Sequence, residues 1–200
     1  DPLWSRGLGD VYKRQIVISQ VYGGGANTGA TYNADFVELH NKSTVDQSIN
    51  GMSVQYHSAT GTGKWAGVIL LPNATIPAGG YYLIQTTAAG AVGANLPTAD
   101  FTATNSVNMS GTNGRVALVN GTDTLSDCTA STSIIDLVGY GTSVCFEGTV
   151  MSALSNTTAA IRNTFGCDDT NINSADFTTG TPNARNSATP VFICGVTPLP

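Results

Sequence analysis

Between Asp35 and Tyr56 the sequence DFVELHNKSTVDQSINGMSVQY alternates apolar and polar positions more regularly than any other stretch of the chain. From Phe36 to His40, Val37 and Leu39 point to one side and Phe36, Glu38 and His40 to the other; in the second run Met52 and Val54 oppose Ser53 and Gln55. A period of two predicts two half-buried strands that share a core. The connector NKSTVDQSING is rich in Asn, Ser, Asp and Gly, which satisfy or bend the backbone locally, so it reads as a loop with a chain reversal.

Similar runs recur along the chain. Ile16 to Tyr22 predicts a first strand, Trp65 to Leu71 another, and Tyr81 to Gln85 one that follows a turn at Pro77, Gly79 and Gly80. Val107 to Met109 and Arg115 to Val119 predict strands separated by SGTNG, whose Asn113-Gly114 step is a hairpin signal. The run IIDLV is nearly continuous in apolar residues, so Ile134 to Tyr140 reads as a central strand, and Thr157 to Arg162 as a late strand or one helical turn. The glycine-rich segment after the first strand, Gly23 to Asn33, matches neither GxGxxG nor GxxxxGK[ST] and leads into no amphipathic helix, so it reads as a plain connector. Ala88 to Thr104 reads as a long surface loop. Strands at short spacing with no helical period between them predict an all-β sandwich of two sheets.

The order of an apolar strand, Asn-Lys-Ser, Asp-Gln-Ser and a short strand resembles the start of the lamin tail domain, in its bacterial secreted type. IPAGGYYLI from Ile76, GRVALVN from Gly114 and IIDLVGYG from Ile134 extend the resemblance, which runs from about Ile16 to about Ser187. Met52 stands where family members usually carry Trp. The resemblance implies an immunoglobulin-like β-sandwich over residues 16–187 and a module that binds, anchors or spaces. Bacterial members are often joined to secreted nucleases or phosphoesterases, so the alternative it implies is an accessory domain of such an enzyme. Residues 188–200 then read as a C-terminal linker. Residues 1–15 carry no alternation, and DVYKRQ (10–15) resembles a translated sequencing adaptor, so this segment is read as non-native.

A chain of 200 residues with 41% hydrophobic content suffices for one domain with a sizeable core. Charged residues are only 10%, and the net charge is -5. Without residues 1–15, Lys plus Arg falls from 8 to 5 and Asp plus Glu from 13 to 11, giving -6. That balance offers no basic patch for a nucleic-acid backbone, and the partners expected are proteins or cell-envelope glycans. No stretch approaches the roughly eighteen apolar residues of a membrane helix. Cys128, Cys145, Cys167 and Cys194 lack the close CxxC pairs of zinc sites, so disulfides are expected, Cys128 with Cys145 and Cys167 with Cys194, in an extracellular or cell-surface protein.

Candidate chemistry is sparse. Nucleophilic catalysis needs a base, and the chain offers His40 and His57, both expected at strand surfaces and neither in a GxSxG elbow. The acids are dispersed apart from Asp168-Asp169, and Glu38 and Glu147 have no companion motif. No catalytic residue, cofactor or metal site is therefore assigned. The sharpest candidate is CDDTNINSADF, where Asp169, Asn171, Asn173 and Asp176 have a calcium-like alternation but lack the Gly and bidentate Glu of an EF-hand; a turn whose Asx side chains cap their own backbone needs no ion and is the reading preferred. GTPNARN (180–186) matches a further lamin-tail element. Sequons at Asn41, Asn73, Asn108, Asn120 and Asn156 are expected by chance in so Asn-, Ser- and Thr-rich a chain.

Overall fold

The computed structural model describes residues 15–128 and 132–195. Apart from Gln15, the adaptor-like segment lies outside the described residues, as do the last five residues of the expected linker. Twelve strands are described: β1 Ile16–Tyr22, β2 Phe36–Asn41, β3 Gln47–Ser48, β4 Met52–Ser58, β5 Gly67–Leu70, β6 Thr75–Ile76, β7 Tyr81–Gln85, β8 Phe101–Thr102, β9 Gly114–Asn120, β10 Ile134–Tyr140, β11 Ala159–Arg162 and β12 Phe177–Gly180. One sheet runs β12-β11-β1-β2-β7-β8, the other β10-β9-β4-β5, and β3 pairs with β6. All ladders are antiparallel except β7 with β8. Val37, Leu39, Tyr82 and Ile84 from the first sheet meet Val54, Ile69, Val116 and Leu118 from the second in one apolar core. This is the all-β, immunoglobulin-like sandwich.

The faces read from β2 and β4 are as the alternation predicts, with two differences in setting. The connector carries the chain from one sheet to the other, so β2 and β4 are never neighbours. Nor is β2 half-buried: all six of its residues are buried. Its outer face, with Phe36, Glu38 and His40, is covered by irregular chain, which alternation within a strand cannot reveal.

Two β-bulges reset the alternation where it matters. In β1 the register against β2 shifts between Ile18 and Gln20, so that Ile18 and Val21, three positions apart, both enter the core. In β10 the register against β9 shifts between Ile134 and Asp136, so Ile135 is in the core while its neighbour Asp136 reaches across to β1. Three sequence expectations change. Strand β10 is an edge strand, not a central one. Val107 and Met109 are buried in the core, but their segment is no strand: the Met109 amide donates to the Asp35 carboxylate at 2.9 Å rather than to a ladder. Asn113-Gly114 consequently joins no hairpin, and Gly114 simply opens β9. Thr157 to Arg162 resolves as a strand, β11.

Candidate functional site

Two places concentrate chemistry. The first lies between the sheets, where the bulge aims Asp136 inward. Its Oδ2 accepts the Ile18 amide at 2.6 Å and the Arg162 Nη2 at 2.5 Å. Arg162 ends β11 on the same side as Ala160 of the core; its Nε donates to the Ile18 carbonyl at 2.8 Å and its Nη1 to the Asp168 carbonyl at 2.8 Å. The guanidinium lies 4.4 Å over the Phe177 ring, and its Nη1 is 3.7 Å from Asp169 and 3.9 Å from Asp176. Lys42 bonds Asp169 at 2.7 Å. Asp136 Oδ1 is buried and has no hydrogen-bond donor among the described residues. One carboxylate oxygen each from Asp136, Glu147 and Asp169 lies within 4.8 Å of the others.

The candidate loop folds as a self-capping turn. Asp176 Oδ1 and Oδ2 accept the Thr170 amide at 3.0 and 2.9 Å, and Oδ2 also the Ile172 amide at 3.2 Å. Asn173 opens the short helix α1, Asn173–Asp176, and works as a clamp: its Oδ1 accepts the Gly139 amide at 2.8 Å and the Glu147 amide at 3.2 Å, while its Nδ2 donates to the Leu137 carbonyl at 2.8 Å. Asn171 is exposed and only the loop's Asp169 joins the inter-sheet carboxylates. The carboxylates that gather with Asp169 are thus Asp136 and Glu147, distant in sequence, not the alternating Asn residues beside it. Gly139 permits this, because a Cβ there would collide with the Cys145 carbonyl, two residues before Glu147.

The second place is the covered face of the larger sheet. Glu38 is fully buried there and is held by five donors: Ser19 Oγ at 2.5 Å, Gln20 Nε2 at 2.8 Å, and from Arg185 the amide at 2.6 Å, Nη2 at 2.7 Å and Nε at 3.1 Å. Burial pushes the Glu38 carboxyl up, and Arg185 pulls it back. The Arg185 guanidinium also lies 4.0 Å over the Tyr81 ring. Around it runs a groove of about 420 Å³ lined by Tyr81, Phe165, Asn183, Arg185, Val191 and Phe192. Phe165 is 61% exposed and stacks on Phe192 with ring centres 4.5 Å apart. Thr164 and Phe165 both take left-handed backbone conformations, with φ of 50° and 60°, which cost non-glycine residues roughly 1–2 kcal/mol each. The Phe165 carbonyl is clamped by Tyr81 Oη at 2.9 Å and Arg185 Nη1 at 3.1 Å, and its ring is left outside.

The cysteines pair as Cys128 with Cys145 and Cys167 with Cys194, with Cα–Cα distances of 5.3 and 5.6 Å. The histidines are buried, contrary to a surface placement. His40 has Nδ1 3.3 Å from the Gly166 carbonyl and Nε2 3.0 Å from the Phe192 carbonyl, and it stacks on Tyr81 at 4.6 Å. Burial holds its pKa down. His57 accepts the Ser58 amide on Nδ1 at 3.0 Å. Neither faces a nucleophile in any hydrogen bond of the described residues. The connector Gly23 to Asn33 and the surface loop Ala88 to Thr104 pack on each other, the Asn33 amide donating to the Ala94 carbonyl at 2.8 Å and the Ala94 amide to the Thr31 carbonyl at 2.9 Å, while 88–95 remain exposed. Arg162, Asp136 and Arg185 were not singled out by sequence; the available signal was a lone Asp inside the apolar run IIDLV, which burial obliges to find a partner.

Among known proteins, no curated relative matches the chain. A crystal structure of a DUF4876 family protein from Bacteroides thetaiotaomicron is similar in fold, with a TM-score of 0.59 and 12% identity over 91% of this chain and 75% of that one. At that identity the likeness speaks of the fold alone. The family model of the Lamin Tail Domain matches residues 12–142, well over half of the sequence and the part that holds β1 to β10. The chain belongs to the Lamin Tail Domain family.

Proposed function

We propose that the chain is a non-catalytic binding or anchoring module of a secreted or cell-surface protein, and that it meets its ligand at the groove beside Phe165. The observation that carries the proposal is Phe165 itself. A large apolar ring, exposed at the mouth of a concave surface and held there on a left-handed backbone by two hydrogen bonds and a nearby disulfide, is a fixed contact surface rather than a packing residue. Its volume and its mixture of aromatic walls with Asn and Arg suit a small oligosaccharide or a short extended peptide. The cell-envelope glycan is the ligand preferred, because Arg115, Arg162 and Arg185 are committed to internal partners and Lys42 to Asp169, leaving little positive charge for phosphate chains.

Two disulfides support an oxidising compartment. Against catalysis stand the two histidines, one enclosed by carbonyls and one turned to its own backbone. The reading holds equally where the module serves as accessory to a secreted nuclease or phosphoesterase. An array of bacterial envelope oligosaccharides, probed with the whole chain, is the test: binding that falls at least tenfold on Phe165→Ala is expected, and absent or unaltered binding overturns the groove. Hydrolysis of DNA or p-nitrophenyl phosphate that disappears on His57→Ala would make the chain an enzyme.

A further inference from the structure

We infer that Asp136, Glu147 and Asp169 form a binding site for a hard divalent cation, calcium, between the two sheets. The residue that points to a ligand is Asp136. It is 2% exposed, and its Oδ2 is taken by Arg162 and the Ile18 amide, so Oδ1 is the oxygen it has left to offer; that oxygen is buried and has no donor among the described residues. A buried carboxylate oxygen without a donor forfeits its hydration with nothing in return, and a cation restores it.

The surrounding charges agree. Asp136, Glu147, Asp169 and Asp176 are gathered round Arg162 and Lys42, which leaves two more formal negative charges than positive ones. Arg162 does not occupy the place of an ion, because its Nη2 is bonded to the other oxygen of Asp136 and its Nη1 to the Asp168 carbonyl, with Asp169 at 3.7 Å. All donors are oxygens, which selects a hard cation. The oxygens lie within 4.8 Å of one another, a spacing that a calcium sphere with bonds of about 2.3–2.6 Å accommodates, whereas magnesium sheds its waters reluctantly and is rarely held by protein carboxylates alone.

The site is also built in advance. Asp136 is set by the bulge in β10, and Glu147 by the Asn173 clamp, whose amide in turn donates to the Glu147 carbonyl at 2.9 Å. Asp169 is set by Lys42. A cation there would join β10, the 141–149 loop and the segment before α1, three pieces of chain from both sheets.

Isothermal titration of the EDTA-stripped whole chain with calcium chloride tests this, with magnesium chloride as comparison and thermal melting as a second readout. One calcium per chain is expected, with a dissociation constant of about 10⁻³ M or tighter, the range of extracellular modules, at least tenfold tighter than magnesium, and a melting temperature that rises with calcium. Glu147→Gln keeps the side-chain size and the backbone bonds to Asn173, and should weaken binding at least tenfold and remove most of the rise in melting temperature that calcium gives. Asp169→Asn is the second variant and should weaken calcium binding to the same degree, whatever its calcium-free melt loses with the Lys42 pair. Absence of saturable binding overturns the inference, and so does calcium binding that both variants leave intact.

Discussion

Replacing Arg185 by Ala tests how the irregular C-terminal segment is fastened to the sheet. The substitution removes the Nη2 and Nε bonds to Glu38, the contact over Tyr81 and the bond to the Phe165 carbonyl. It leaves Glu38, fully buried, with the Arg185 amide, Ser19 and Gln20 as donors but no counter-charge. Breaking a buried ion pair from one side costs about 3–5 kcal/mol. The remaining donors place this case at the lower end, about 3 kcal/mol, a large share of the roughly 5–15 kcal/mol that holds a domain together. For a chain of this length that corresponds to a fall of about 6–12 °C in melting temperature. Urea unfolding with the disulfides intact should show a lower midpoint at unchanged slope. The pH dependence distinguishes burial from mere contact. Burial raises the Glu38 pKa above 4.5, so its contribution is fully present below that value and lost as pH rises through the folded pKa. Without Arg185 the folded pKa rises further, so the cost of the substitution should shrink as the solution is acidified. A loss below about 1 kcal/mol, the same at pH 4 and pH 7, is what an exposed pair would give and would refute the reasoning.

Asp35 is buried between the Gly25 amide at 2.7 Å and the Met109 amide at 2.9 Å, and burial pushes its carboxyl from 3.8 up to about 6. A raised acid stabilises below its unfolded pKa and ceases to as pH climbs through the folded one, by roughly 3 kcal/mol in all; Asp35→Asn should therefore flatten the plot of unfolding free energy between pH 4 and 6, and an unaltered slope would contradict the assignment. His40 has the opposite sign: its depressed pKa means stability present above 6.5 and lost as pH falls through the folded value, so His40→Gln should remove a decline below pH 6.5 that the wild type shows in the same experiment. Cys167→Ser with Cys194→Ser releases a 27-residue separation, for which loop entropy gives roughly 3–4 kcal/mol, read from the urea midpoint; a midpoint that does not move would show that the packing of Phe192 and Arg185 alone secures the segment.

The sandwich was legible because its evidence is periodic. Val37 with Leu39 and Met52 with Val54 declare their faces through alternation, and the turn at Pro77 to Gly80 declares itself through residue types, the Gly80 amide donating to the Pro77 carbonyl at 2.8 Å. Both candidate sites escaped the same reasoning for physical causes. Asp136 sits where a bulge breaks the period of two, so no template that counts in twos assigns its direction. Glu38 and His40 alternate correctly, yet alternation says only that they oppose the core. Whether that opposite face meets water or another piece of chain is decided by residues such as Asn183, Arg185 and Phe192, which have no period at all.

That last point explains why polar residues crowd the buried outer face of β2. A strand covered by another strand or a helix can be apolar, because the cover brings its own hydrogen bonds. An irregular cover brings unpaired amides and carbonyls, and the face beneath must satisfy them. The Asn183 carbonyl takes Gln20 Nε2 at 2.6 Å and the Asn183 amide gives to Gln20 Oε1 at 3.1 Å; the Arg185 amide goes to Glu38, and the carbonyls of Gly166 and Phe192 face His40. Ser19, Gln20, Glu38 and His40 are therefore the complement of a strandless segment, and their polarity reflects the backbone lying on them rather than a reaction. It follows that the groove borrows its rigidity from this seam: Phe165 and Phe192 keep their places only while the carbonyls beside them stay bonded to Arg185, Tyr81 and His40, so substitutions under the cover should alter ligand contact at the surface without touching a ligand.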